Sequence, residues 1–69
     1  SAMVSVVEYG VDKWKELLQW GIDSRVLTPV DISFVKTALA IEQGKFPSER
    51  QCAKILQVLE KARLESYPS

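Results

Sequence analysis

LTPVDISFVKTALAIEQG, residues Leu27 to Gly44, is the stretch that decides the fold, because it contains signals for both ends of a helix. Thr28 is a favoured N-cap, and Pro29 fits the first helical position, where its missing N–H costs nothing. Asp31 lies in the first turn, where a carboxylate faces the positive end of the helix or reaches back to the cap. Gly44 suits a left-handed C-cap. These signals predict a helix with both ends specified locally.

This helix, predicted over about residues 29–43, has an apolar arc too wide for one neighbour. At about 100° per residue, its two apolar flanks contain Val30, Phe34, Ala38 and Ile41 on one side and Ile32, Val35 and Leu39 on the other. An ordinary amphipathic helix buries a stripe of roughly 100°, so a second helix on each side is the simplest solution. The sequence therefore predicts an all-α, small three-helix bundle with helix 2 central and with Phe34, Leu39 and Ile41 inside.

The first helix is predicted from about residue 6 to residue 24. The stripe expected to face the central helix contains Val7, Val11, Trp14, Leu18 and Ile22. The solvated face opposite contains Glu8, Asp12, Lys15, Glu16, Gln19 and Asp23. Between them lies a second stripe, called here the aromatic stripe, which contains Tyr9, Lys13, Leu17 and Trp20. Gly10 either allows a close helix crossing or marks a later helix start, and the sequence leaves both interpretations open.

The third helix is predicted from Ser48 to about Leu64. Ser48 and Gln51 form a capping box, in which each side chain satisfies a backbone N–H of the other. Its buried stripe is predicted to contain Cys52, Ile55, Leu56, Leu59 and Ala62. Polar side chains on the other side, together with a lysine in the preceding turn, are called here the basic ridge: Lys45, Arg50, Lys54, Gln57 and Lys61. Pro47 keeps the second and third helices apart.

Length and composition predict a single domain of 69 residues. Residues 1–4 are interpreted as a tag remnant and disordered start, residues 5–65 as the three-helix domain, and residues 66–69 as a frayed tail. Nine basic and nine acidic residues balance, so only a local patch could attract a polyanion. No stretch reaches the roughly 18 apolar residues of a membrane span. Cys52 is the single cysteine, which favours a reducing, cytoplasmic location.

No set of residues in the sequence points to catalysis or to a cofactor. Histidine is absent and Cys52 is alone, which excludes a zinc site built from nitrogen and sulfur ligands. Without a histidine to act as its base, Cys52 is interpreted as a core thiol. The carboxylates of Glu8, Asp12 and Glu16 lie close together, but a solvated helix face explains them without an active site. We therefore expect no enzyme activity, no cofactor, no metal and no membrane partner.

Two surfaces remain as candidates for binding. The basic ridge could neutralise about three or four phosphates, and two helices joined by a turn outline a helix-turn-helix reader. Against this, Glu49 and Glu60 flank the ridge, and a charge run is commonly just a solvated face. The aromatic stripe could instead dock another protein or a parent domain, because an exposed tryptophan usually has a partner. A third interpretation is that Tyr67 and Pro68 fold back and cover this stripe.

The segment LTPVDISFVKTALAIEQGKFPSERQCAKILQVLEKA, Leu27 to Ala62, resembles helical hairpins in accessory regions of prokaryotic DNA-processing proteins, such as helicases, primases and phage-defence proteins. The shared positions are caps and core residues: Thr28, Gly44, Ser48, Gln51, Leu56 and Leu59. The resemblance covers about half of the chain and does not address the first helix, and Phe46 and Pro47 depart from it. It implies a non-catalytic module attached to nucleic-acid machinery.

The function predicted from the sequence is thus a non-catalytic helical interaction module, an accessory domain of a larger nucleic-acid-processing protein that contacts nucleic acid through the third helix. The alternative is a protein-docking or oligomerisation domain that uses the aromatic stripe on the first helix. The first function predicts salt-dependent binding through the basic ridge. The second requires the aromatic stripe to be accessible to another chain.

Overall fold

The computed structural model describes residues 1–68. All regular secondary structure in these residues is helical. Within those residues four α-helices and a short 3-10 helix follow one another: α1, Ala2–Tyr9; α2, Val11–Ser24; α3, Pro29–Leu39; the 3-10 helix, Ala40–Gln43; and α4, Glu49–Leu64. The prediction of an all-α class is confirmed. The prediction of a three-helix bundle is wrong, because the expected first helix is two helices, α1 and α2.

Gly10 separates α1 from α2. Its φ of 97° and ψ of 139° are accessible to glycine but rarely to residues with a side chain. Its carbonyl oxygen accepts hydrogen bonds from the N–H groups of Lys13, at 3.1 Å, and Trp14, at 3.2 Å, and so begins α2. The Trp14 indole Nε1–H then donates to the Val6 carbonyl oxygen at 2.9 Å. The glycine therefore turns the chain, and the buried indole connects the two helices across the turn.

Helix α1 starts earlier in the chain than predicted. The Ser1 hydroxyl accepts a hydrogen bond from the Val4 N–H, and the Glu49 carboxylate accepts from the N–H groups of Ala2, at 2.6 Å, and Met3, at 3.0 Å. Both acceptors lie at the positive end of the helix, where N–H groups lack intrahelical partners. Residues 2–4, which were expected to belong to a disordered start, thus form the first turn of α1 and contact α4.

The helices pack on one another in a chain of pairs. Helix α3 contacts both α2 and α4, and α4 contacts α1. The α3 residues Val35 and Ala38 are fully buried, whereas Phe34, Leu39 and Ile41 are only half-buried. The expectation that those three side chains lie inside the core is therefore wrong in degree: α3 has a helix on each side, but its apolar arc is not enclosed.

The break at Gly10 also changes which residues of the first two helices face the core. Val7 and Ile22, expected in the docking stripe, are 43% and 48% exposed, whereas Val6 and Leu17 are fully buried. A helical wheel drawn through residue 10 assumes one continuous axis, and the chain changes direction there. Trp14 is the member of the predicted stripe that is fully buried. The predicted solvated face is confirmed, since all six of its residues are exposed.

The predicted N-caps of α3 and α4, the left-handed Gly44 and the buried stripe of α4 are confirmed, although the predicted helix over 29–43 is α-helical to Leu39 and continues as the 3-10 helix. Capping boxes join Thr28 with Asp31 and Ser48 with Gln51, each through two reciprocal hydrogen bonds of 2.9 to 3.1 Å. Gly44 has a left-handed conformation with φ of 80°. The stripe of α4 consists of the buried residues Cys52, Ile55, Leu59 and Ala62 and the half-buried Leu56, with Val58 buried beside them.

Candidate functional site

An open groove lies between α3 and α4. It encloses about 290 Å³ and is lined by Asp31, Phe34, Lys54, Gln57, Val58 and Lys61. Three of these residues, Lys54, Gln57 and Lys61, belong to the predicted basic ridge. The structure therefore joins part of the ridge to a concave, partly apolar surface, rather than leaving it on a convex helix face.

Lys61 is held at the groove by Asp31. The Lys61 Nζ lies 2.5 Å from the Asp31 Oδ2, with the lysine side chain 43% exposed and the aspartate side chain 17% exposed. The same carboxylate oxygen accepts from the Thr28 N–H at 3.0 Å. Burial alone would raise the pKa of Asp31, but the hydrogen bonds from Lys61 and Thr28 outweigh burial and lower the pKa. Asp31 is therefore ionised at neutral pH and partly neutralises Lys61.

Of the two acidic residues that flank the ridge, Glu49 is held by contacts away from it. Glu49 accepts two backbone hydrogen bonds from the start of α1. The N–H groups of Met3 and then Ala2 are the main reasons that the pKa of Glu49 is lowered. Glu60 precedes Lys61 by one residue, and therefore lies about 100° away from it around the helix axis. Helix α4 thus directs Glu49 toward α1, whereas Glu60 is exposed beside the ridge.

Arg50 and Lys45 extend the ridge beyond the groove. Arg50 is exposed and precedes Lys54 by four residues, so it lies on the same side of α4 one turn earlier. Lys45 is exposed in the turn that follows the left-handed Gly44. Neither residue lines the groove wall. Among residues 1–68, neither Arg50 nor Lys54 forms an ion pair, so both charges are available to a ligand.

The aromatic stripe is not a free surface. Leu17 is fully buried, and Tyr9 and Trp20 are half-buried. The Trp20 ring packs on the Tyr67 ring, with the centroids 5.0 Å apart and the planes inclined by 52°. Tyr67 itself is 8% exposed. The interpretation that the C-terminal segment folds back over the stripe is therefore confirmed for Tyr67, while the last residue of the predicted frayed tail, Ser69, lies outside the described residues.

Tyr9 and Lys13 also make contacts within the domain. The Tyr9 and Trp14 ring centroids are 4.5 Å apart. The Lys13 Nζ lies 5.3 Å from the Tyr9 centroid and the Arg63 Cζ lies 5.9 Å from it, both within cation–π range. These contacts connect α1, α2 and α4. All four predicted residues of the stripe thus contribute to internal packing, which leaves little aromatic surface for a separate protein.

Cys52 and the clustered carboxylates have the environments that the sequence predicts. Cys52 is fully buried, and burial, followed by the negative charge of Glu49, raises the pKa of its thiol. Glu8, Asp12 and Glu16 are exposed on their helices. Across residues 1–68, no group of three or more potential metal ligands from His, Cys, Asp and Glu is close enough to hold an ion. In the same part of the chain, no helix is long and apolar enough to cross a membrane.

Three residues of the groove are not among the predicted binding candidates: Asp31, Phe34 and Val58. The sequence pattern places Phe34 in the core and Asp31 at a helix cap, and both interpretations describe only part of each residue's environment. The available signal was their spacing: Asp31 and Phe34 are three residues apart and share one side of the predicted helix. That side could be recognised as a groove wall only once the position of α4 was known.

Comparison with protein-family models, curated proteins and solved structures finds no match for this chain. Its function is therefore inferred from the groove, the charges around it and the residues that remain accessible.

Proposed function

We propose that this chain is a non-catalytic helical interaction module, an accessory domain of a larger nucleic-acid-processing protein, which contacts nucleic acid through the basic ridge and the adjoining groove. The observation that carries the proposal is the row of polar and cationic side chains along one side of α4, part of which lines the groove. Arg50, Lys54, Gln57 and Lys61 lie along one side, while Glu49 is turned toward α1. Neither Arg50 nor Lys54 forms an ion pair among residues 1–68, and cations on one side of a helix bind phosphates with the release of counterions.

The resemblance of Leu27 to Ala62 to accessory hairpins of DNA-processing proteins supports the same class of function. In that role the remainder of the parent protein is the second partner, and it supplies the chemistry. A reducing cytoplasmic environment suits the single buried thiol of Cys52. The docking alternative on the aromatic stripe is less well supported, because Trp20 is already covered by Tyr67.

The test is the binding of a fluorescein-labelled oligonucleotide, followed by anisotropy over a range of salt concentrations. Arg50→Gln with Lys54→Gln removes two cations without introducing repulsion. If both contact phosphates, the double variant should bind more weakly and lower the slope of log K against log salt by about 2. Lys61 is left intact because its replacement would also break the ion pair with Asp31. A loss of binding could then not be distinguished from a loss of stability.

Lys36→Gln provides the matched control. Lys36 is exposed on α3 and follows Phe34 by two residues, which places it about 200° around the helix from the groove side. It is compared with the single variant Lys54→Gln, which also removes one positive charge but lies in the proposed site. Equal loss of affinity in the Lys36 and Lys54 variants would show that only net charge matters, and it would refute the proposed site.

A further inference from the structure

Phe34 is the aromatic residue of the groove. Its side chain packs partly against the hydrophobic core and partly lines the space between α3 and α4. Val30, one turn earlier on the same side of α3, is 64% exposed. Helix α3 therefore contributes the Asp31 carboxylate and the Phe34 ring to the groove wall, and Val30 continues the apolar surface beyond it; Phe34 and Val30 are called here the apolar ledge. Phosphates interact with cations and hydrogen-bond donors. The apolar ledge therefore suits a different, apolar part of a ligand.

The ledge lies between two cations. Asp31, at the start of α3, holds Lys61, near the end of α4, so the two helices run antiparallel. One turn further along α3, Phe34 comes beside the turn of α4 that contains Gln57 and Val58. Lys54 lies seven residues before Lys61, about 10 Å along the helix axis. An aromatic ring is thus flanked by lysines on both sides within one groove.

The groove has the volume of a small-ligand pocket. Its volume of about 290 Å³ is close to the lower limit of small-ligand pockets, about 300 Å³. A space of this volume fits one flat ring system together with part of the chain that carries it. A base pair within a duplex could not offer its ring face to this space, because neighbouring pairs cover both faces.

We propose that the groove binds one unpaired nucleobase, stacked on Phe34, with a flanking phosphate on Lys54, which forms no ion pair among residues 1–68. This inference rests on the proposed function and narrows its ligand to single-stranded nucleic acid. Stacking on an aromatic side chain is tolerant of base identity and adds to phosphate binding. Gln57, which is exposed at the same groove, carries two N–H donors and one carbonyl acceptor for a base edge. Arg50 extends the phosphate contacts by one turn.

The decisive comparison uses two fluorescein-labelled strands of equal length, oligothymidylate and the same strand made abasic. Both carry the same phosphates, so a ridge that recognises charge alone binds them equally. Stacking of one base should make the thymidylate strand bind about ten-fold more tightly. A hairpin duplex with the same number of phosphates should resemble the abasic strand. Equal affinity of the native protein for the thymidylate and abasic strands would overturn the inference.

Phe34→Leu tests the ring itself, and the chain offers a matched control. Phe46, in the turn before α4, is 60% exposed and does not line the groove. Phe34→Leu should abolish the preference for thymidylate over the abasic strand, whereas Phe46→Leu should leave it unchanged. Phe34→Tyr retains the ring and should retain the preference, which separates stacking from any loss of stability. A Phe34→Leu variant that keeps the full preference would also overturn the inference.

The outcomes distinguish this inference from the proposed function. If Arg50→Gln with Lys54→Gln weakens binding but the strands are not discriminated, the ridge binds nucleic acid and the stacking inference fails alone. If native protein binds neither strand at low salt, both fail. If unlabelled poly-glutamate binds the groove and neither strand does, the ligand is an acidic peptide, and both proposals are refuted.

Discussion

Replacement of Gly21 by alanine is expected to destabilise the domain, although alanine is the better helix former. Gly21 lies inside α2 and is buried. A Cβ atom at this position would lie 2.3 Å from the Leu27 Cδ1, 2.7 Å from its Cγ and 3.1 Å from its Cβ. Carbon atoms do not approach this closely without repulsion. Leu27 is 5% exposed and belongs to the core, so it cannot move without disturbing its neighbours.

Two free-energy terms of opposite sign decide the result. Alanine in a helix interior is favoured over glycine by about 1 kcal/mol. Overpacking a core by one carbon typically costs about 1–3 kcal/mol. The variant should therefore lose about 1 kcal/mol of unfolding free energy, which lowers Tm by roughly 4–8 °C in a domain of this size. Urea unfolding followed by circular dichroism measures the change directly.

The control is a double-mutant cycle with Leu27→Ala. With the Leu27 Cγ and Cδ atoms removed, Gly21→Ala faces only the 3.1 Å approach to the Cβ, and it should now stabilise the protein by up to about 1 kcal/mol. Leu27→Ala alone should cost about 2–5 kcal/mol, so the cycle is measured in a stabilising osmolyte. The packing argument would be refuted if Gly21→Ala, with Leu27 unchanged, made the protein more stable than the native one.

Three further predictions concern the pH dependence, the thiol and the C-terminal segment. Because the pKa of Asp31 is lowered on folding, its stabilisation is complete above the unfolded value of about 3.8 and is lost as the pH falls through the folded value. The urea midpoint of native protein should therefore fall more steeply in this range than that of Asp31→Asn, and parallel curves would contradict the ion pair. Because Cys52 is buried with a raised pKa, a thiol reagent should label it only as fast as the domain opens. Rapid labelling in native buffer would place the thiol at the surface. Tyr67→Ala should uncover Trp20, increase acrylamide quenching of tryptophan fluorescence and cost at least about 1 kcal/mol; unchanged quenching would mean that the C-terminal segment does not cover the ring.

The parts of the fold that could be predicted are those set by neighbours in sequence. Thr28 and Ser48 are helix N-caps, and each forms a capping box with the residue three positions later, Asp31 and Gln51. At this spacing side chain and backbone meet without help from the rest of the protein. The left-handed conformation of Gly44 likewise follows from local sterics. Such signals fix helix ends, but they say nothing about how the helices cross.

The break at Gly10 could not be decided from the sequence. Glycine is compatible with a continuous helix, at a cost of about 1 kcal/mol, and with the φ of 97° found in the structure. The choice depends on contacts far away in sequence, including the hydrogen bonds from Ala2 and Met3 to Glu49. A periodic apolar pattern on both sides of residue 10 conceals the turn, because each half is helical by itself.

Only part of the candidate site could be predicted from the sequence, for a related reason. Lys54, Gln57 and Lys61 share one helix, so spacing alone places them together. Phe34 comes from another helix, and an aromatic residue with helical periodicity is ordinarily assigned to the core. It became part of a groove because α3 has more apolar surface than α2 and α4 cover. An excess of apolar residues on a central helix can therefore indicate a binding surface as well as a wide core.

The balance of nine acidic and nine basic residues gives little information about the electrostatics of the groove. Several carboxylates are committed to structural contacts, since Glu49 binds the start of α1 and Glu42 pairs with Lys15 at 3.2 Å. Asp31 is shared between a capping box and Lys61. Each of these contacts gives the carboxylate a partner other than Arg50 or Lys54. Because potentials near a surface are dominated by charges within about a Debye length, some 10 Å, a neutral protein can present a local cationic site, and the placement of its acids determines where that site lies.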